Sequence, residues 1–283
     1  MKIFLWVMGV LLLLVLLSPF FLIQIGKGAL HNPEIPSRDL PFSSDSKLKV
    51  LAFFPHPDDE VTVSGTLMKL IEEGHEVHLL CLTRGEAGNS GEGYSKDELA
   101  EIRTLEMTQA ADRIGATKLH LLEYADSGLN ELGLDSLKSI ALDRIYAIQP
   151  DILFSYDSKV GLYGHPDHRL SGLAVEQVFQ ENKGNSLFKP QQLFQVTLSP
   201  NQIEIALELS EGFKNNYPKE EGEGLPLPDF SIKTQAYFSR VLDVMQAHES
   251  QQAVLKDLMP YHDQVPAWIY SRIFDREYFH EVK

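Results

Sequence analysis

Residues 50–60 read Val-Leu-Ala-Phe-Phe-Pro-His-Pro-Asp-Asp-Glu, a short apolar run that stops abruptly in a polar, proline-flanked segment. An unbroken apolar run of this length is the pattern of a strand buried on both faces of a sheet. Pro57, directly after His56, suits the first position of a helix, where its missing N–H is no loss. Beyond it Val63, Leu67, Leu70 and Ile71 share one helical face, and Gly74 ends the helix. The unit is therefore strand, polar turn, helix, and the chain repeats it. Residues 77–82 lead through a glycine-rich loop into a helix marked by Leu99, Ile102, Leu105 and Ile114. Residues 119–122 precede a helix carrying Leu134, Leu137, Ala141, Ile145 and Ile148. Residues 152–155 precede one carrying Leu170, Leu173, Ala174 and Val178, and residues 192–198 read as a fifth strand.

Strands separated by helices of this length imply right-handed crossovers and an α/β fold: a doubly wound, Rossmann-like, mostly parallel sheet with helices on both faces. In the strand order 3-2-1-4-5 the ligand crevice lies beyond the carboxyl ends of strands 1 and 4, where the winding reverses. After Pro200 the pattern loosens. An acidic loop over residues 217–229 precedes a helix expected from near Ser231, and the region is expected to form a lid or docking surface.

The formal charge of −15 makes a phosphate backbone a poor partner, so nucleic acid is not expected. Cys81 is the only cysteine, which excludes an intramolecular disulfide and any cysteine-rich zinc module. Residues 3–25 are almost wholly apolar, about the ~20 residues needed to cross a bilayer. A secretory signal is the rival reading, but the run is long and no small-x-small cleavage site follows. The expected plan is thus a single-pass anchor over 1–25, a linker over 26–46 broken by Pro33, Pro36 and Pro41, and a globular domain over 47–283. Lys2 precedes the span while Lys27, Arg38, Lys47 and Lys49 follow it, which leans toward a cytoplasmic catalytic domain.

A second polar segment, Tyr-Gly-His-Pro-Asp-His over residues 163–168, follows strand 4, so both segments fall at the expected crevice. His56 and Asp59 are three apart, as are His165 and His168, and each pair projects from one side of a helical turn. Imidazole and carboxylate are fit ligands for a divalent metal such as zinc, which in catalytic sites takes three protein ligands and leaves one place open. The surplus groups suit the base and acid that hydrolysis requires, but spacing does not assign the roles. A lone His-Pro-Asp at a helix start is usually a cap. Two of them beside neighbouring strand ends are not explained that way. Fe2+ competes with zinc, because two histidines and a carboxylate also form the facial triad of non-haem oxygenases.

The segments His-Pro-Asp-Asp-Glu at 56–60 and Tyr-Gly-His-Pro-Asp-His at 163–168 resemble the LmbE/PIG-L family of zinc-dependent N-deacetylases. Thr-Arg-Gly-Glu-Ala-Gly at 83–88, the Arg103/Glu106 pair and, more weakly, Ala-His-Glu-Ser-Gln at 247–251 add to the likeness, which is good over 47–174. Pro55 departs from the family's usual Ala. The resemblance implies His56, Asp59 and His168 as zinc ligands and Asp58 as general base. It implies His165 as cationic acid or oxyanion stabiliser with Asp167 holding its ring, and Tyr163 as a group polarising the amide oxygen. Arg84, Glu86 and His248 are implied substrate contacts. The implied substrate is a small amino-sugar conjugate or glycolipid bearing N-acetylglucosamine. A membrane-held sugar-binding protein without catalysis is the alternative from another class. His75, His78, His120, His262 and His280 lack paired spacing and read as structural or exposed.

Overall fold

The computed structural model of the chain describes residues 2–283 apart from 45, 90 and 221. Met1 of the expected anchor, Asp45 of the expected linker, Ser90 of the glycine-rich loop and Glu221 of the acidic loop therefore lie outside the described residues. The strands are β1 (Ser37–Arg38), β2 (Lys49–Phe54), β3 (Glu76–Thr83), β4 (Lys118–Tyr124), β5 (Ile152–Tyr156), β6 (Gln192–Thr197), β7 (Phe230–Lys233) and β8 (Arg276–Glu281). They form one sheet in the order β1-β7-β8-β6-β5-β2-β3-β4. From β4 to β6 every pairing is parallel, in the order 3-2-1-4-5 expected from the sequence. β8 then runs antiparallel to both β6 and β7, so the sheet is mixed.

Alternate residues of β2 feed two cores, as the two-residue period of a strand dictates. Val50, Ala52 and Phe54 pack with Leu67, Met107, Ile114 and Val244 on one face. Leu51 and Phe53 pack with Leu137, Ile145, Val175 and Phe179 on the other. Helix Lys96–Ile114 begins with a capping box between Ser95 and Glu98 and ends at Gly115 in the left-handed conformation, the standard stop.

Two expectations are corrected. No helix begins near Ser231: Phe230–Lys233 is a strand in which Phe230, Ser231 and Ile232 are buried, and the helix starts at Phe238. Nor are residues 26–46 a free linker. The apolar helix continues to Leu30, Ser37–Arg38 pairs with β7, the Arg38 guanidinium lies 4.0 Å from the centre of the Phe230 ring, and Leu30 and Phe42 are buried.

The N-terminal helix Lys2–Leu30 is, over Trp6–Leu30, long and apolar enough to cross a membrane by length and composition. Its base is docked. Ile23 and Leu30 are buried against Ile269 and Ile273, Lys27 pairs with Asp275 at 2.8 Å, and the Ser199 hydroxyl donates to the Leu30 carbonyl at 2.7 Å.

Helix Pro166–Asn182, which carries the second motif, lies hard against the end of β5 through Gly172. A Cβ there would stand 2.5 Å from the Tyr156 carbonyl oxygen and 2.6 Å from that of Asp157. Because backbone cannot step aside as a side chain can, Gly172→Val should lower unfolding free energy by about 1–3 kcal/mol or more. Denaturant titration of the variant beside the parent checks this.

Candidate active site

After β2 the chain turns through Asp58, which sits at φ 96° and ψ −21°, in the left-handed region that non-glycine residues rarely occupy. The strain is held by hydrogen bonds. The Asp58 N–H donates to Glu60 Oε2 at 3.0 Å, the Arg103 guanidinium donates to Asp58 Oδ2 at 3.0 Å and also grips the Pro57 carbonyl, and the His56 N–H donates to Asp59 Oδ2 at 2.7 Å. Pro57 does not open an α-helix as expected: a 3₁₀ turn, Asp59–Val63, comes first, and the α-helix begins at Ser64.

After β5 the fully buried Asp157 carboxylate accepts the N–H groups of Lys159, Val160 and Leu162 at 2.9, 2.7 and 2.9 Å, and so winds the loop that leads to the second motif. Gly164, at φ +106°, is obligatory, since a Cβ would fall 2.1 Å from the Asn216 carbonyl oxygen. His165 then caps helix Pro166–Asn182, its Nδ1 accepting the Asp167 N–H at 3.2 Å, with Pro166 in the first turn.

These turns bring the two motifs together. His56 Nδ1 and His168 Nε2 are 3.1 Å apart, His168 Nε2 lies 3.2 Å from Asp59 Oδ1, and His56 Nδ1 lies 3.5 Å from Asp59 Oδ2. Zinc–ligand bonds of ~2.0–2.1 Å at tetrahedral angles place ligand atoms ~3.3 Å apart, the spacing found between the two imidazole nitrogens and between each of them and the Asp59 oxygen it faces, Oδ2 for His56 and Oδ1 for His168. His165 stands beside them, and its ring nitrogens belong to a group with His56 and His168 whose ligand atoms lie within 4.8 Å of one another. The far nitrogen of His56, Nε2, faces Asp126 at 3.1 Å and Asp167 at 3.4 Å, the outer carboxylates that orient a ligating imidazole. Tyr156 donates to Asp59 Oδ1 at 2.9 Å and stacks on the His168 ring at 4.2 Å.

The electrostatics favour a cation at this point. Burial pulls the His56 pKa down, yet the hydrogen bonds of Asp126 and Asp167 and the charge of Asp59 push it up to about 10. Burial likewise raises Asp59, but His168 and His56 hold it at about 2. Asp58 moves the other way: burial lifts it to about 6, with Arg103 opposing and Asp59 assisting. A carboxylate in that range is suited to exchanging protons near neutrality.

A cavity of about 530 Å³ opens over these groups. His56, Asp58, Asp59, Tyr163, His165 and His168 are all on its wall. Asp167 departs from the expected arrangement, because its carboxylate faces His56 and only its N–H reaches His165. The His165 ring is also not cationic: burial and the neighbouring His168 and His56 lower its pKa to about 4. The three expected substrate contacts are absent from the wall. Arg84 donates through Nε to Thr104 at 2.9 Å, and Glu86 accepts the Asp126 N–H at 2.9 Å. His248 is wholly buried, 2.6 Å from Glu60 Oε1, and that carboxylate raises its pKa against the effect of burial.

The weaker motifs brace the site from behind. Glu106 accepts the N–H and hydroxyl of Ser250 at 2.7 and 2.8 Å, which places Gln251 on the cavity wall. Arg103 donates to the Gly85 carbonyl at 2.8 Å, and a Cβ at Gly85 or Gly88 would fall 2.5 or 2.6 Å from its guanidinium, so the glycines of the loop after β3 make room for it. Asp126, Tyr156 and Asp157 went unassigned from sequence. Asp126 carried a readable signal, since it stands two residues beyond β4 at the same edge of the sheet as both motifs.

With His248 paired to Glu60 and off the cavity wall, His248→Leu should strand a buried charge and lower stability by about 3–5 kcal/mol. Equilibrium unfolding measures this, and a variant that kept its stability while KM alone rose would contradict the placement.

Residues 51–179 match the family model described as "GlcNAc-PI de-N-acetylase" (PIG-L). The chain is 36% identical over 135 residues to a diacetylchitobiose deacetylase of Thermococcus kodakarensis, covering 46% of this chain and 49% of that one; it thus spans about half of that relative's length. It is 25% identical over 240 residues to a probable N-acetyl-alpha-D-glucosaminyl L-malate deacetylase 2 of Bacillus anthracis, covering 78% and 94%. In fold it is similar to the N,N'-diacetylchitobiose deacetylase from Pyrococcus horikoshii, with a TM-score of 0.60, 24% identity and 84% of each chain covered.

Proposed function

We propose that the chain, whose residues 51–179 match the PIG-L (LmbE) family model, is a membrane-anchored, zinc-dependent hydrolase of that family. It removes the N-acetyl group from an N-acetylglucosamine-type glycoside or glycolipid. The observation that carries the reading is the set of separations among His56, Asp59 and His168, 3.1–3.5 Å, with the Asp58 carboxylate on the same cavity wall. The relatives, named as deacetylases of amino-sugar compounds, support the substrate class. On this reading the helix over Trp6–Leu30 spans the membrane and the catalytic domain lies on the cytoplasmic side.

His56, Asp59 and His168 would hold the zinc, which when bound supplies Lewis acidity that polarises a carbonyl and lowers the pKa of water toward ~7. Asp58 takes the proton of the attacking water and returns it to the departing amine. Asp126 and Asp167 hold His56 by Nε2, which leaves Nδ1 turned toward His168 and Asp59, where it would serve as a ligand. Because Nδ1 of neutral His165 accepts a backbone N–H, the ring proton resides on Nε2, where it donates to the oxygen that gains negative charge. Tyr163, whose phenol burial keeps protonated, is a second donor on the same wall.

Purified protein should release acetate from an N-acetylglucosaminide, lose that activity to a chelator and recover it with Zn2+. Asp58→Asn should retain the metal and lower kcat by about 10²–10⁴-fold. His168→Ala should lose metal and activity together, and elemental analysis that found iron instead would point to the oxygenase alternative. The full chain should remain with membranes through an alkaline wash, whereas release into the supernatant would count against the anchor.

A further inference from the structure

Beyond the metal centre a second cavity of about 140 Å³ shares a wall with the first: Thr62, Leu162 and Leu258 line both. At one water-sized group per ~10–15 Å³ it has room for about ten such groups, enough for a short hydrocarbon chain. Its lining is largely apolar and includes Val61, Val196, Phe238, Val241, Met259 and Phe274. The charged groups on it are already engaged. The Glu277 carboxylate accepts the N–H groups of Gly65 and Thr66, both at 2.9 Å, and Arg276 Nε donates to Asp275 at 2.7 Å.

The position of this chamber relative to the reacting groups gives it a meaning. The rim of the first cavity is formed by exposed residues, among them Ala87, Asn89, Ser127 and Glu211, so the bulky sugar conjugate must remain on that side. A substrate held with its carbonyl at His56, Asp59 and His168 then directs the acyl group inward, toward buried Leu162 and the shared wall. Leu162 is held at φ 68° and ψ −64°, a conformation costly for a branched residue, by the Asp157 carboxylate on its N–H. Strain of this kind persists where the surroundings demand one placement of a side chain. Here that placement puts Leu162, with Thr62 and Leu258, on the seam along which the two cavities adjoin.

We propose that the second cavity is an acyl-chain pocket, and that the chain hydrolyses N-acyl amino sugars whose acyl group extends several carbons beyond acetyl. The inference rests on the amide-hydrolase reading above and adds the class of acyl group. The chemistry is unchanged: the oxygen of water bonds to the acyl carbon, the carbon–nitrogen bond breaks, the amine departs with a proton and a longer carboxylic acid replaces acetate.

The test compares zinc-loaded full-length protein on N-acetyl, N-butanoyl and N-hexanoyl glucosaminides by amine release. The expected result is kcat/KM for the longer acyl groups within about tenfold of, or above, that for N-acetyl, a margin a closed acetyl site would not permit. Val241→Phe and, nearer the surface, Met259→Trp narrow the second cavity without touching the first. Either should cut N-hexanoyl turnover at least about tenfold while N-acetyl turnover, which also reports folding, holds. Hydrolysis of N-acetyl with rejection of N-hexanoyl overturns the acyl pocket and leaves the deacetylase reading standing. Release of amine from none of the three overturns both. Equal loss of N-acetyl and N-hexanoyl turnover in two folded variants also overturns the pocket.

Discussion

The site depends on one pairing, the parallel alignment of β2 with β5, in which Val50, Leu51 and Ala52 stand opposite Ile152, Leu153 and Phe154. Parallel pairing puts the carboxyl ends of both strands on one edge of the sheet, so the turns that follow face each other although they are over a hundred residues apart in the chain. Reversal of either strand would carry its motif to the opposite edge, about 17 Å away for a strand of five residues at ~3.3 Å each. No side-chain adjustment spans that gap. The convergence of His56, Asp59 and His168 is thus a consequence of topology first and of local turn geometry second.

Within that frame the site is organised by excess negative charge. Asp59 approaches both facing imidazoles, Asp126 and Asp167 approach His56, and Asp58 lies on the same wall, where an isolated carboxylate would take up a proton to escape desolvation. Asp59 and Asp58 illustrate the two outcomes. Asp59 is bonded by His168, His56 and Tyr156 and stays ionised, whereas Asp58 has Arg103 as its main opposing charge and rises to about 6. Adjacent residues of one turn are thereby given opposite proton affinities.

The strand order and both motif positions were legible because buried parallel strands leave unbroken apolar runs and because Pro and Gly mark their ends. The strands at the far side of the sheet were not. β7 has four residues and β1 two, too few for a period to register, and β8 reads Arg-Glu-Tyr-Phe-His-Glu, with polar groups that find partners only in three dimensions. Glu277, for instance, satisfies the first N–H groups of helix Ser64–Glu72, a contact across more than two hundred residues. The assignment of His248 as a substrate contact failed for a related reason. Its likeness to a family motif implied a place near the site, but the ring pairs with buried Glu60, whose carboxylate also accepts the Asp58 N–H.

β8 also joins the two ends of the molecule. Asp275, just before it, pairs with Lys27 at the base of the N-terminal helix, and its backbone carbonyl accepts the N–H groups of Thr234 and Gln235. Two residues on, Glu277 grips the start of the helix that follows the His56 motif. Burial raises the Asp275 carboxyl while Arg276 and Lys27 hold it low, so it remains an anion available to Lys27. The apolar helix is therefore not a float on a slack tether, because its last turns share buried side chains, an ion pair and a hydroxyl-to-carbonyl hydrogen bond with the rest of the chain. If that helix crosses a bilayer, as proposed, the cavity is held at a set height and orientation relative to the membrane. Access to a membrane-resident substrate would then be governed by the placement of the rim rather than by diffusion of the domain about a hinge.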